Sequence, residues 1–394
     1  MFEKITLRNS EFGGAVTAGH IAEALLYHQN IHLLLNRGSI TDLSKSLGSE
    51  LFLELLERPE VAVTYIEQII GTHTNNNGLL PVYDWGFVEV IGDQDRGRIS
   101  RLDRIADLFQ GAGLSRGQSK KAARRFLKVA EVKSFSGDHF VEGGIAQAAR
   151  LESEDLKFFK QALSLSLANE LEQLEFASDF EFDIYRISSG FVISDNVDWV
   201  AVNDRRNLLK SGRDDITRAH LVSSFVEAIA DLHISSHYGG EYISVEASSK
   251  IARLKYARLL NRLGRDTDAI SEFQDAELDN GRAIRNCINS GDRTFAEFLR
   301  IIDKRDAEKF KGFWAGVNPD ANALKEYYEE NSRQGWITSL PSTVLRVAIC
   351  TTVGVFNMPA GVALSIADAR LTERLVQGWR PHHFVQNRLR PFVS

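Results

Sequence analysis

Between Arg346 and Asp368 the chain runs for 21 residues without a charge, VAICTTVGVFNMPAGVALSIA. A helix of about 20 apolar residues is enough to cross a bilayer. Such a stretch must either enter a membrane or be buried in protein. Asn357 and Pro359 stand at its midpoint, where a polar side chain and a helix break are least welcome, and it holds one Leu and two Ile. Ala348, Gly354, Ala360, Gly361, Ala363, Ser365 and Ala367 are small and suit close helix packing. The expectation is a buried hairpin over 347–367, hinged at Asn357–Pro359 and packed on the helical domain; the alternative is a segment packed at rest and released to a membrane only on activation. Val355, Phe356 and Gly361 are its expected membrane or partner contacts, with Trp379 and Arg380 in the tail behind it. Trp379, Phe384, Leu389 and Phe392 are spaced as apolar anchors for that tail.

The rest of the chain has room for real cores. It has 394 residues, 43% hydrophobic and 25% charged, enough for one large domain or two to three ordinary ones. A net charge of −6 argues against a protein whose whole surface grips nucleic acid. The two cysteines, Cys287 and Cys350, form no metal-type spacing and suit a reducing compartment. The opening MFEKITLRNSEFGG has a charge at position 3 and no apolar run, so no signal peptide is expected and the expected location is cytoplasmic.

Periodicity then divides the chain. Lys4–Leu7 and Ile31–Leu35 are β-prone, while Thr17–Tyr27 and Leu43–Leu56 have helical spacing. Two β-branched runs, Val61–Ile70 and Val82–Ile91, flank Asn75-Asn76-Asn77-Gly78, which predicts a hairpin over 61–91. Arg116–Glu131 and Glu154–Phe176 read as helices. Phe180–Val202 reads as a second hairpin turning at Ser188-Ser189-Gly190. A helix capped by Asp214 or Asp215 runs to about His233, and further helices are expected over 248–263, 268–278, 294–311 and 320–331. The expected fold is α+β and helix-rich. It has a small α/β module with β-hairpins over 1–95, helices plus a β-hairpin over 96–205, and a mainly helical domain over 206–394.

Motifs for chemistry are sparse. Gly111-Ala-Gly113 lacks the third glycine of a dinucleotide loop, and neither GxxxxGK[ST] nor GxSxG occurs. His233 and His237 are four apart and would share a helix face, as two ligands of one metal ion would. His233 also continues the apolar stripe of Val222, Val226 and Ile229, so a buried hydrogen-bonded histidine is the favoured reading. Glu131-Val-Lys133 has the ExK form of some metal-dependent nucleases, with no acidic partner to be assigned. No cofactor is implied.

Basic stripes are the stronger signal. Between Arg96 and Lys133 there are eleven Lys/Arg against three acids. Lys121, Arg124, Arg125 and Lys128 gather on one side of the predicted helix, and 101–110 with 116–131 could pair as a helix-turn-helix. Lys255, Arg258, Arg262 and Arg265 form a second stripe. These residues would contact phosphates or an acidic partner, but stacking aromatics are not interleaved, so an ordinary solvated helix face is the favoured reading. The leading expectation is therefore a non-enzymatic intracellular effector or regulatory protein that acts by binding a protein partner, of prokaryotic defence or toxin type, with oligomerisation open. Nucleic-acid binding and metal-dependent hydrolysis are the alternatives.

Overall fold

The computed structural model describes residues 4–9, 15–76, 78, 80–89, 99–172, 179–209, 214–238, 241–243, 251, 254–255, 279–316, 346–347 and 384–393. The fold is α+β and helix-rich. Strands β1 (Lys4–Arg8), β2 (Asn30–Leu35), β3 (Val61–Ile66) and β6 (Ala130–Lys133) lie parallel in that order, and β9 (Glu241–Ile243) lies parallel on the other side of β1. Two residues, Arg346–Val347, add an antiparallel edge, β10. Helix α1 (Ala18–Tyr27) joins β1 to β2, and α2 (Arg37–Leu47) with α3 (Ser49–Leu56) joins β2 to β3. The chain therefore works outward from β1 as far as β6, then returns to the opposite side of β1. That reversal makes β1/β9 the topological switch point of a doubly wound sheet.

A second sheet is antiparallel, ordered β4-β5-β8-β7. Strands β4 (Gln68–Asn75) and β5 (Val82–Glu89) pair along their full length, as do β7 (Phe182–Ile187) and β8 (Gly190–Asp195).

The parallel sheet separates two cores. One face, with Ile5, Leu7, Ile31, Leu33, Val63 and Tyr65, packs on α1, α2 and α3, and on α4 (Arg101–Gly111) and α5 (Arg116–Val129). The same core takes in α10 (Asp279–Ser290), α11 (Phe295–Ile302) and α12 (Arg305–Gly316). Gly19 allows α1 and α10 to touch, because a Cβ there would overlap the Arg285 carbonyl and the Asn289 side chain. The second core lies under the other face. It joins Leu34 and Ile66 to Trp85, Phe158, Phe159, Phe191 and Phe225, gathered from the antiparallel sheet, α6 (Gly144–Glu152), α7 (Leu156–Glu170) and α9 (Arg218–Tyr238). Between β8 and α9 runs α8 (Trp199–Leu209).

Several sequence expectations hold. The helix expected over Thr17–Tyr27 is α1, the turn at Ser188–Ser189 joins β7 to β8, and Phe384, Leu389 and Phe392 of the tail are buried. The tail forms a π-helical turn, Val385–Leu389, running into α13 (Arg390–Val393), and Arg293 Nε donates to Phe392 O at 3.0 Å.

Others need correction. Val61–Ile66 is not part of a hairpin: its run is buried on both sides by neighbouring parallel strands, and the hairpin is 68–89. The helix after Arg116 stops at Val129, where Ala130 turns extended and starts β6. Leu43–Leu56 is split by Gly48, held at φ +82°, a conformation that favours glycine. Helix α9 starts after Thr217 rather than at Asp214 or Asp215; Thr217 Oγ1 lies 3.0 Å from His220 Nδ1. Ile105, Phe109 and Phe126 share a core with Ile5 and Leu25, and Val202 shares one with Leu221. So neither 95/96 nor 205/206 divides the packing. The hairpin expected at 347–367 lies outside the described residues, apart from Val347 in β10. So do the helices expected over 268–278 and 320–331 and most of 248–263. No described helix is long and apolar enough to cross a membrane.

Candidate functional site

A parallel sheet covered on both faces is ordinarily aliphatic on both. This one is aliphatic on one face and mixed on the other, where Leu34 and Ile66 stand among polar side chains. In-register neighbours point to the same side of a sheet. The pairs Thr6↔His32, Arg8↔Leu34, Leu34↔Thr64 and Thr64↔Glu131 therefore place Lys4, Thr6, Arg8, His32, Thr64, Glu131 and Lys133 on one side. One helix, α9, contacts Lys4, Arg8, His32, Thr64 and Lys133 on that side.

The two halves of α9 do different jobs. Its first half is apolar: Phe225 packs against Phe159 with ring centroids 4.6 Å apart, and Trp85 Nε1 donates to Val222 O at 3.1 Å. Its second half carries Glu227, Asp231, His237 and Tyr238 over the polar face. Arg8 Nε donates to Asp231 Oδ1 at 2.7 Å, and the Arg8 guanidinium also pairs with Glu227. The three side chains are 4%, 1% and 1% exposed, so no solvent screens them. Deleting one partner of such a buried pair costs about 3–5 kcal/mol, because the other charge is left in low dielectric. Two buried polar atoms of this layer, Thr6 Oγ1 and Glu227 Oε1, have no hydrogen-bond partner among the described residues.

Nearer the end of α9, Thr64 Oγ1 lies 2.8 Å from both His32 Nε2 and Tyr238 OH. The threonine has one proton and two lone pairs, so it donates to at most one of these neighbours. Burial, then the nearby Lys4, Lys133 and His237 charges, push the His32 pKa down to about 3, so the imidazole is neutral at neutral pH. A hydroxyl beside a neutral imidazole is the arrangement of an activated nucleophile. Here both groups are buried, Thr64 at 0% and His32 at 5% exposed, so a dissolved substrate does not reach them while α9 is in place.

The layer opens to solvent at His237 and Lys133. Lys133 Nζ lies 3.3 Å from His237 Nε2, 3.3 Å from Glu131 Oε2 and 5.0 Å from the Tyr238 ring centroid. Lys4 Nζ donates to Tyr238 O at 2.7 Å, closing the C-terminal end of α9. At the carboxyl ends of the neighbouring strands, Asn9 Oδ1 accepts from Val16 N at 2.8 Å, and Asn36 Oδ1 accepts from Ser39 N at 2.8 Å, capping α2.

The residues singled out from sequence are dispersed. Lys121, Arg124 and Lys128 are exposed on α5. Arg125 instead turns to α3, with Nε 2.8 Å from Glu57 Oε1 and a guanidinium nitrogen 2.5 Å from Glu50 Oε1; these bonds raise its pKa above the ordinary arginine value. Lys255 pairs with Glu152 and lies 5.4 Å over the Phe158 ring. His233 and His237 are both on α9, as expected, yet they face different neighbours. Burial lowers both pKa values, with Glu152 and Lys255 beside His233 and with Lys133 and Glu131 beside His237. Among the described residues no three His, Cys, Asp or Glu side chains gather as a metal site would require. Glu131 and Lys133 contact each other on edge strand β6, and Asp107 is on α4, packed with the opposite core. Arg258, Arg262, Val355, Phe356, Gly361, Trp379 and Arg380 lie outside the described residues.

Sequence reasoning missed the polar layer itself. Thr6 and Arg8 share β1, while His32 and Thr64 occur singly in β2 and β3, and only strand pairing brings the three strands' residues to one face. Glu227 and Asp231 carried a usable signal: two acids four apart inside the otherwise apolar LVSSFVEAIADLHI. No family model matches the chain, and it has no match among curated proteins or solved structures.

Proposed function

We propose that this chain is a regulatory or effector protein that acts by binding, and that it receives a small polar ligand on the face of the parallel sheet beneath α9. One observation carries this reading: a covered sheet face at a topological switch point bears Lys4, Thr6, Arg8, His32 and Thr64 beside the aliphatic Leu34 and Ile66. Buried polar groups weaken a fold unless each is satisfied. Ligands of open α/β sheets bind beside the switch point, at the carboxyl ends of the strands. Arg8 ends β1 there, and α9 connects that point to the solvent-facing end at His237. Ligand binding would set the position of α9 and, through it, the antiparallel sheet that its first half supports. A protein partner would read that change.

A panel of nucleotides, sugar phosphates and amino acids, scanned by thermal unfolding, tests the proposal. A ligand at a hundred times its Kd stabilises the native state by about 2.7 kcal/mol. Stabilisation by one chemical class, lost in Thr6→Val, supports the reading. A panel without effect on the unfolding temperature contradicts it.

A second reading rests on Lys121, Arg124 and Lys128, which are exposed on one helix. They would contact the phosphates of a nucleic acid. Charge reversal at Arg124 and Lys128 should then lower salt-dependent DNA or RNA binding, and unchanged binding removes this reading.

A further inference from the structure

We infer that α1 and α9 each start with an acid-sensitive latch: a threonine backbone N–H is held by the Nδ1 lone pair of a histidine three residues on, and protonation of that imidazole releases the first turn. The inference stands apart from the ligand reading above. Thr17 N donates to His20 Nδ1 at 3.2 Å, and Thr217 N donates to His220 Nδ1 at 3.3 Å. A backbone N–H only donates, so each Nδ1 presents its lone pair and the proton of the neutral ring is on Nε2. The threonine hydroxyls lie 2.9 and 3.0 Å from the same two nitrogens.

Helices α5 and α11 build the same box from different groups. Ser115 N and Oγ donate to Gln118 Oε1 at 3.2 and 2.7 Å. Thr294 N and Oγ1 donate to Glu297 Oε2 at 2.8 and 2.9 Å. An amide oxygen does not titrate near neutrality. The Thr294 bonds hold the Glu297 carboxyl below its usual pKa. Of these three acceptors only an imidazole takes up its proton between about pH 5 and 8. Once it does, the threonine N–H has no acceptor, and a cation stands at the positive end of the helix dipole.

The surroundings set the sign. Both imidazoles are half-buried. Burial, then Arg285 of α10, lowers the His20 pKa, with Glu23 of α1 acting the other way. Burial, then Arg206 of α8, lowers that of His220, against Glu170 of α7 and Asp214. His73 of β4 lines the same cavity as His220, about 260 Å³ in volume, beside the Thr72 and Ser223 hydroxyls. With a lowered folded pKa the latch is fully closed above pH 6.5, the unfolded value, and opens as pH falls through the folded value. Helix α1 packs on one face of the parallel sheet and α9 on the other, so acid loosens the start of a helix on both sides.

Amide hydrogen exchange of the full chain between pH 7.5 and 5, corrected for the intrinsic exchange rate, tests this. The amides of Ile21 and Leu221 bond Thr17 O and Thr217 O in the two first turns. Their protection should fall below pH 6.5, by as much as about tenfold per pH unit. Ser119 and Phe298 hold the same place in α5 and α11, and their amides should not follow. His20→Gln and His220→Gln rebuild the box in the form that Ser115 and Gln118 have. Each should abolish the pH dependence in its own helix and leave the other helix as it was. Nitrogen-15 spectra of the wild type at pH 7.5 should show the Nε2–H tautomer at both histidines, a readout that needs no variant to fold. An Nδ1–H tautomer overturns the inference. So do Ile21 and Leu221 amides that track the two controls, and a pH dependence that survives His20→Gln and His220→Gln.

Discussion

His32 and Tyr238 lie with ring centroids 3.6 Å apart and share the hydroxyl of Thr64 as a common hydrogen-bond partner. One residue comes from the centre of the parallel sheet and the other from the last turn of α9. The contact therefore fixes where the helix ends over the sheet. Thr64→Val keeps the shape and removes the shared partner, leaving two polar groups unpaired. It should destabilise the protein by about 1–3 kcal/mol, and Tyr238→Phe by less. Urea unfolding monitored by circular dichroism measures both, and a Thr64→Val midpoint equal to wild type would contradict the arrangement.

His32 also makes a signed pH prediction. Its folded pKa, pushed down to about 3 from 6.5, means that the unfolded chain binds a proton which the folded chain does not. Its stabilising contribution is fully present above pH 6.5 and is lost as pH falls toward 3. The slope from this residue approaches about 1.4 kcal/mol per pH unit inside that window. His20, His220, His233 and His237 are shifted in the same direction, first by burial, and add to it. Unfolding free energies between pH 4 and 7.5 should rise with pH, less steeply in His32→Gln; a flat profile in the wild type would exclude a buried neutral His32.

Arg8 answers to two acids, and substitutions at Arg8 and at Glu227 should not be equivalent. Arg8→Met leaves Glu227 and Asp231 without their shared guanidinium and should cost about 3–5 kcal/mol. Glu227→Gln keeps the bond of Arg8 Nε to Asp231 Oδ1 and should cost clearly less. Equal losses from the two variants, read from chemical denaturation, would contradict the paired geometry.

Thr6→Val separates stability from function. The Thr6 hydroxyl is buried and has no hydrogen-bond partner among the described residues. Replacing it with a methyl of similar shape should leave the free protein as stable or more so. If the hydroxyl serves a ligand, the same variant should lose ligand-induced stabilisation, the usual trade between stability and a functional site. A destabilised Thr6→Val protein would show that the hydroxyl has a structural partner instead.

The tail is a packing element as well. Leu389 is fully buried in the core formed by α1, α10 and α11. Leu389→Ala should cost about 2–5 kcal/mol, whereas the exposed Lys128→Ala should stay within about 0.5 kcal/mol. Thermal unfolding separates the two. A Leu389→Ala transition close to wild type would mean the tail does not dock.

Local signals in the sequence were legible because they act over a few residues. The apolar stripe within Thr17–Tyr27 reads as a helix, Asn75 to Gly78 as a turn, and Ser188–Ser189–Gly190 as the turn of a hairpin. Phe384, Leu389 and Phe392 read as anchors from spacing alone. Pairing was not legible. Val61–Ile66 looks the same to a local reading whether its partner is the next strand or one on either side in a parallel sheet. Ala130–Lys133 follows a strong helix with no breaker, and only the open place beside β3 makes it a strand. The polar layer depends on pairing twice over, through strand order and through the choice of α9 as its cover, so His32 and Tyr238, 206 positions apart, gave no joint signal.

Hydrogen exchange with and without a stabilising ligand from the panel tests the central claim most directly. The expected result is added protection concentrated in Glu227–Tyr238 of α9 and in the facing strands β1, β2 and β6. Protection confined to α4 and α5, or none with any ligand that binds, would contradict a site beneath α9.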